Sequence, residues 1–382
     1  MTRHLPLPRT CTLTSYGAIT AWDCAIVIPA KDEEDRVVPC LMAAATACRN
    51  VAGRVSGIIL VINNTTDRTA VAAGEYALSQ PDIPVVVIDC HFDPADAGVG
   101  SARRLGLDLA CRMVGQSGTL LTTDADTLVR PDWIAQNLAE LLRADMICGT
   151  VSGQPDEAQN LPPAIAAHGS AEWDYVNGCV ALAAALDPLA HDTAPAHHNA
   201  AGASMAVSAR VYQAVGGLPV IQIGEDRAFA ERIEAHDYRL RYSDRVIVET
   251  SCRMIGRTDG GMAGALRARA FETDPFGDEW LEPAAAFALR YRMRGGLRAV
   301  WPDLVGLHNV LSGCLSPSTA DRLLADPIPH HGGAFIAKAE KELPRVRLRL
   351  SDCRQELPQL QAFLAGLDGR PATGATLCPV AA

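Results

Sequence analysis

The feature that most constrains this chain is a series of short, continuously apolar, β-branched runs set between stretches of helical periodicity. CAIVIPA (24–30), GIILVI (57–62) and PVVVID (84–89) are of this kind. Such runs suit strands covered on both faces, as in a parallel sheet. Between and after them the pattern predicts helices from Glu34 to Cys48, Arg68 to Ser79 and Val99 to Val114. TLLTT (119–123) then reads as a strand, Pro131 to Arg143 as a helix and DMICGTV (145–151) as a further strand. Pro131 suits a helix's first turn, with Asp132 beside the positive end of the dipole. This rhythm predicts an α/β fold: a right-handed, doubly wound, mostly parallel sheet with helices on both faces. In such sheets ligands bind beyond the carboxyl ends of the strands.

Residues 154–199 read as less regular and carry His168, His191, His197 and His198. Regular structure resumes with GASMAV (202–207), a helix near Ala209, a helix from Glu225 to His236 and the strand RVIVET (245–250). After about Gly256 only helical segments are expected, around Glu282–Arg294, Ala320–Leu324, Ala334–Glu342 and Cys353–Gly366. The expected organisation is an N-terminal segment (1–21), a main domain (22–258) and a helical C-terminal extension (259–382). The main domain is expected to divide into halves spanning 22–150 and 151–258.

Of the 382 residues 48% are hydrophobic and 20% charged, enough to bury a sizeable core. The net charge of −10 argues against a nucleic-acid partner. The twelve cysteines are scattered among apolar residues with no C-x-x-C pair, which predicts buried reduced thiols rather than a zinc cluster. MTRHLPLPRT lacks a signal-peptide core, and no apolar window of ~18 residues occurs, so no membrane span and a cytoplasmic location are expected.

Chemistry-bearing residues gather at the predicted strand ends. Pro29-Ala30-Lys31-Asp32-Glu33-Glu34 can cradle a base or phosphate; its blander reading puts Asp and Glu in a helix's first turn. In NNTTDRTA, Asp67 or Thr66 is expected to cap the next helix. GVGSARRLGLDLA joins small residues to a helix N-terminus suited to anions, followed by Arg103 and Arg104. Arg103 is the candidate nucleotide contact, and one of the two is expected to be an ordinary solvated residue. Asp124 and Asp126, two apart at a strand end, can share a face and hold Mg²⁺ or Mn²⁺ together with substrate phosphates. Read alone, the spacing is a weak signal, and the blander reading is an acidic turn leading into the Pro131 helix. Glu225 and Asp226 open an amphipathic helix, where the dipole favours them, yet a carboxylate there also suits a general base. Arg253 and Arg257, four apart, can offer two charges to a diphosphate.

Taken together, IVIPAKDEEDRV, VINNTTDRTA, GVGSARRLGLDLA, LTTDADTLVRPDW, GASMAVSARVYQAVGGLP, GEDRAF and SCRMIGR resemble family 2 glycosyltransferases of the GT-A fold, in the family's order over about residues 22–258. The resemblance implies an inverting transfer of sugar from a nucleoside-diphosphate sugar to a hydroxyl of a small-molecule or glycan acceptor. Pro29, Ala30 and Glu33 would line the base pocket, Asp124 would touch the ribose and Asp126 would ligate Mg²⁺ or Mn²⁺. Asp226 would be the general base, supported by Glu225, with Gly202, Ala203 and Ser204 beside the acceptor. Two departures stand out: Asn63 occupies the turn where the family usually has a base-reading aspartate, and Arg104 replaces a frequent asparagine. UDP and GDP donors both remain open. His197 and His198 are candidates to complete a metal site or contact the acceptor, His198 being the acceptor-side choice.

Two further readings stand beside this one. A nucleotidyltransferase would want a glycine-rich, lysine-bearing loop after the first strand, and PAKDEEDR has no glycine. A catalytically inactive nucleotide-sugar-binding protein would have lost a carboxylate that Asp126 and Asp226 supply. The helical extension is expected either to shape the acceptor pocket or to form a homodimer interface.

Overall fold

The computed structural model describes residues 6–18, 21–256 and 261–368. The chain opens with β1 (Thr10–Tyr16), β2 (Cys24–Ala30), α1 (Val37–Arg49), β3 (Ser56–Asn63), α2 (Thr69–Ser79), β4 (Val85–His91) and α3 (Val99–Val114). It continues with β5 (Thr119–Thr122), β6 (Thr127–Val129), α4 (Trp133–Glu140), β7 (Met146–Gly153) and α5 (Pro155–Ala158). Next come α6 (Pro163–Leu186), β8 (Met205–Ser208), α7 (Ala209–Ala214), α8 (Glu225–Ala235) and β9 (Leu240–Thr250). The rest is helical: α9 (Met262–Phe271), α10 (Ala284–Val300), α11 (Leu304–Ser312), α12 (Pro317–Ala325), α13 (Gly332–Glu340) and α14 (Leu350–Asp368).

The chain forms two compact units. The first comprises the residues up to Leu161, Ala196–Ile233 and Tyr238–Ala265. The second comprises Pro162–Pro195, Glu234–Asp237 and the residues from Leu266 onward, so it includes part of the segment expected to be irregular.

The first unit is built on one sheet of order β1-β4-β3-β2-β5-β8-β7-β9-β6. β4, β3, β2 and β5 run parallel. β8 is antiparallel to β5 and β7, while β7 and β9 are parallel. The alternation of side chains along β2 explains why a continuously apolar run was needed. Ile26 and Ile28 enter a core with α1 residues such as Leu41 and α4 residues such as Ile134. Ala25 and Val27 enter a second core with Leu107 of α3, Tyr212 of α7 and Phe229 of α8. Both faces are therefore covered, and neither strand face tolerates a polar side chain. The expected α/β architecture is the one observed. No helix of the described residues is long and apolar enough to cross a membrane.

With β3 on one side of β2 and β5 paired on the other, the carboxyl end of the β2–β5 pair is the topological switch point, the place where such sheets bind ligands. The glycines of α3 bring that helix down beside it. A Cβ on Gly106 would lie 2.4 Å from Val27 Cγ1 and 2.9 Å from Val61 Cγ2.

The second unit packs α6, α10 and α14 around Tyr175, Leu182, Phe287 and Leu360. A neighbouring cluster joins Met293, Leu297, Leu307, Leu311 and Phe335. Its interior holds a buried ion pair in which Arg290 Nε donates to Glu282 Oε1 at 2.6 Å. The 24-residue α6 lies where irregular chain was expected. Its alanine-rich sequence shows no sharp apolar stripe, and close packing decides its state: a Cβ on Gly178 would meet Leu360 at 2.6 Å. α9 and α11 were likewise not foreseen, nor was β1, whose side chains are almost all exposed along one sheet edge.

Gly106→Ala is expected to destabilise the chain by about 1–3 kcal/mol through overpacking of α3 on the sheet, read as a lowered midpoint in urea denaturation.

Candidate functional site

The loops that follow β2 and β3 are tied to each other before they can meet any ligand. Asp32 Oδ1 accepts from Thr66 N (2.7 Å), and Glu34 Oε2 accepts from Arg68 N (3.0 Å). In return Asp67 Oδ2 accepts from Glu34 N (3.0 Å) and Thr69 Oγ1 from Glu33 N (2.8 Å). The acidic run therefore does not line the first turn of α1, which begins only at Val37 and has no acidic residue there. Asp67 Oδ1 does accept from Thr69 N at the start of α2, as foreseen. Pro29 and Ala30 end β2, and Asn63 ends β3; all three are buried. Asn63 Nδ2 donates to Gly98 O (3.1 Å), leaving its own buried Oδ1 without a hydrogen-bond donor.

Gly100, in the first turn of α3, serves protein packing. A Cβ on Gly100 would lie 2.8 Å from Ile221 O, so the close backbone approach is to the segment leading into α8.

Asp124 and Asp126 sit in a turn rather than on a strand. Thr127 N donates to Asp124 O at 3.1 Å, closing the turn between β5 and β6. β6 in turn pairs with β9, and Thr127 Oγ1 donates to Thr250 Oγ1 at 2.9 Å. Asp126 O accepts from Ser251 N (3.1 Å) and Gln154 Nε2 (3.0 Å). The two carboxylates are thus placed by main-chain bonds, and each meets a different arginine.

Arg103 is the centre of one half of the site. Its guanidinium is 2% exposed. Nη2 donates to Asp124 Oδ1 (2.7 Å), Nη1 to Thr122 Oγ1 (2.5 Å) and Gly202 O (2.9 Å), and Nε to Glu225 Oε1 (3.3 Å). Burial alone would lower its pKa, but Asp124 and Glu225 outweigh that and hold it above the ordinary arginine value. Gly202 has no Cβ because one would lie 2.5 Å from Arg103 Nη2. Gly202 N donates to Asp226 Oδ2 (2.9 Å), and Asp226 Oδ1 accepts from Arg227 N (2.8 Å). One continuous path therefore runs from Asp124 through Arg103 and Gly202 to Asp226. Burial raises the pKa of Glu225; Arg103 opposes the rise and Asp226 adds to it.

Arg253 is the centre of the other half. Nη1 and Nη2 donate to Glu33 Oε2 (2.7 Å) and Oε1 (2.5 Å), and Nη2 also lies 3.0 Å from Asp126 Oδ2. Burial, followed by the charge of Asp124, pushes the Asp126 carboxyl up to about 6 despite Arg253. Arg36, held by Glu157 at 2.6 Å, adds a further cation to this side.

Other candidates are placed elsewhere. Ala203 lies in the core, and Ser204 Oγ accepts from Trp133 Nε1 at 3.0 Å. Arg104 is not a loose surface residue: it donates to Asp108 Oδ2 (2.7 Å), Gly216 O (2.8 Å) and Leu218 O (2.9 Å). His197 meets Tyr242 edge-on, and burial with the adjacent His198 lowers its pKa to about 4. No group of three His, Cys, Asp or Glu side chains able to hold a metal forms among the described residues. Arg257 lies outside the described residues. Sequence reasoning missed Thr122, Arg36 and Glu157. Thr122 carried a usable signal, since it ends a strand two residues before Asp124.

Residues 25–195 match the family model described as glycosyl transferase family 2. Over that stretch the resemblance read from the sequence is borne out. Gly202, Glu225, Asp226 and Arg253 lie beyond it. None of the curated proteins compared with the chain matches it. Among solved structures, it is similar to the mannosyltransferase PcManGT from Pyrobaculum calidifontis in complex with GDP-Man and Mn²⁺, at 16% identity, 92% and 88% coverage of the two chains and a TM-score of 0.45. It is also similar to S. aureus TarS 1–349 in complex with UDP-GlcNAc, at 11% identity, 88% and 92% coverage and a TM-score of 0.44. A third is glucosyl-3-phosphoglycerate synthase from Mycobacterium tuberculosis with Mn²⁺, UDP-Glc and phosphoglyceric acid, at 14% identity, 65% and 78% coverage and a TM-score of 0.38.

Two outcomes follow from this geometry. Arg103→Leu is expected to cost about 3–5 kcal/mol by stranding Asp124 and Glu225, measured by chemical denaturation. Because the folded pKa of Asp126 is raised, its ionisation opposes folding as pH rises from its unfolded value to about 6. Asp126→Asn should remove that fall, worth about 2–3 kcal/mol at most, in denaturation curves compared across the interval.

Proposed function

We propose that this chain transfers a sugar from a nucleoside-diphosphate sugar to an acceptor hydroxyl, inverting the anomeric centre. One observation carries the reading: Asp124 and Asp226 are joined through the buried Arg103 and Gly202 at the switch point of the sheet. This puts a donor carboxylate and a candidate base on one rigid frame, which is what a single displacement needs.

In this reading residues 22–150 supply the donor side and 151–258 the acceptor side. Pro29, Ala30 and Asn63 line the base pocket, and Asp124 meets the ribose. Glu33 lies in the same wall but holds Arg253, which turns towards the diphosphate. Arg103 is a positioning residue: its donors are engaged by protein oxygens, so it orients Asp124, Glu225 and the Gly202 peptide.

The donor set fits Mg²⁺ or Mn²⁺. Asp126 has Asp124 and Glu33 as acidic neighbours, and burial followed by the charge of Asp124 raises its pKa; no group of three metal-holding side chains forms among the described residues. Hard cations of this type commonly take one or two carboxylates and complete their shell with substrate phosphate and water. When bound, the cation supplies positive charge against the departing nucleoside diphosphate. Asp226 takes the proton from the acceptor hydroxyl as its oxygen forms the bond to the anomeric carbon. The bond from that carbon to the diphosphate oxygen breaks, and its electron pair leaves with the nucleotide. The Gly202 N–H holds Asp226 in place, and Glu225 braces the same helix turn from below.

The test is a calorimetric screen of UDP- and GDP-sugars with Mn²⁺, on wild type and Asp126→Ala. Metal-dependent binding of at least one donor, lost in the variant, is expected; no binding of any donor overturns the reading. With an acceptor in hand, Asp226→Asn should lower kcat by about 10²–10⁴-fold while donor affinity is kept. Unchanged transfer would remove Asp226 from its role.

A further inference from the structure

We propose that Arg253 holds the place of the divalent cation, so that the site takes up Mg²⁺ or Mn²⁺ only together with a nucleoside diphosphate. The inference rests on the donor reading above and adds an order of loading to it.

The guanidinium bridges two of the carboxylates that make the site acidic. It forms a two-pronged pair with Glu33 and lies 3.0 Å from Asp126 Oδ2. A guanidinium offers only donors and is permanently charged, so it competes with a metal ion at Asp126, occupying Oδ2 and repelling a second cation. A bare cation approaching Asp126 meets that repulsion with no added anion to offset it. A diphosphate changes both terms, because its oxygens accept Arg253 in the same forked geometry and also complete the metal's shell.

The main chain supports a side-chain swing rather than a loop movement. Ser251 N donates to Asp126 O, while Ser251 Oγ (2.9 Å) and Cys252 N (2.7 Å) both donate to Glu157 Oε2. Arg253 N donates to Ser251 Oγ at 3.1 Å. The backbone carrying Arg253 is thus pinned to the very turn that presents Asp126. The side chain, 21% exposed, is left as the moving part.

The test is a titration of the full chain with Mn²⁺ alone near neutral pH, following the electron paramagnetic resonance signal of the free ion. It is repeated with UDP and with GDP. Wild type should bind Mn²⁺ weakly by itself and at least about tenfold more tightly with one of the nucleotides. Arg253→Gln should bind Mn²⁺ without nucleotide about tenfold more tightly than wild type, with a smaller gain on adding nucleotide. Arg253→Lys, which keeps one charge but loses the fork, should fall between the two. Adding Asp126→Asn to Arg253→Gln should abolish the gain, which ties it to this carboxylate. Nucleotide-free affinity unchanged in folded Arg253→Gln, while wild type still couples metal to nucleotide, overturns the inference alone. Absence of Mn²⁺ binding by wild type with either nucleotide overturns the donor reading, and the inference with it.

Discussion

The buried guanidinium of Arg103 is the contact on which the rest of the site depends. It brings together the end of β5, the turn beyond it, the peptide before β8 and the first residue of α8. A charge taken out of water is tolerable only when its donors are met by well-placed oxygens. Here two carboxylates, a hydroxyl and a carbonyl meet it. The glycines around it follow from that demand: Gly202 leaves room for Nη2, and Gly106 lets α3 settle on Val27 and Val61 so that Arg103 reaches inward.

Around this fixed centre the site divides into a rigid and a responsive half. On the Asp226 side a carboxylate is pinned by Gly202 N and Arg227 N. On the Asp126 side the partner is Arg253, a long side chain on anchored backbone that touches two carboxylates at once. Burial first, and then the charge of neighbouring Asp124, raises the pKa of Asp126. The neighbouring carboxylate also makes the position receptive to positive charge, from arginine or from a metal ion. In the proposed reading, the pairs that hold these carboxylates in place are those a donor would rearrange.

Much of the frame was legible because apolar pattern and burial are local matters. β2 spans Cys24–Ala30 and α3 spans Val99–Val114, as their patterns predict, since a strand covered on both faces and an amphipathic helix each write their period into sequence. Where burial is one-sided or absent the signal fails. β1 is almost wholly exposed, β6 has three residues, and α6 is alanine-rich with glycines that matter only against α14. Among site residues, Asp124, Asp126 and Asp226 were legible as motifs. The pairing of Glu33 with Arg253 joins residues too far apart for any local pattern to reveal.

The sequence by itself therefore determined the alternation of strands and helices, the covering of both sheet faces and the gathering of polar residues at strand ends. These depend on neighbours within a few positions along the chain. Only the tertiary structure decided which carboxylate meets which arginine, and that Asp124 and Asp126 sit in a turn braced by β9. It also decided that Arg103 is spent inside the protein and that Arg253 lies between Glu33 and Asp126. Those choices are electrostatic. They are made by distances across the fold, and a linear sequence carries no record of distance.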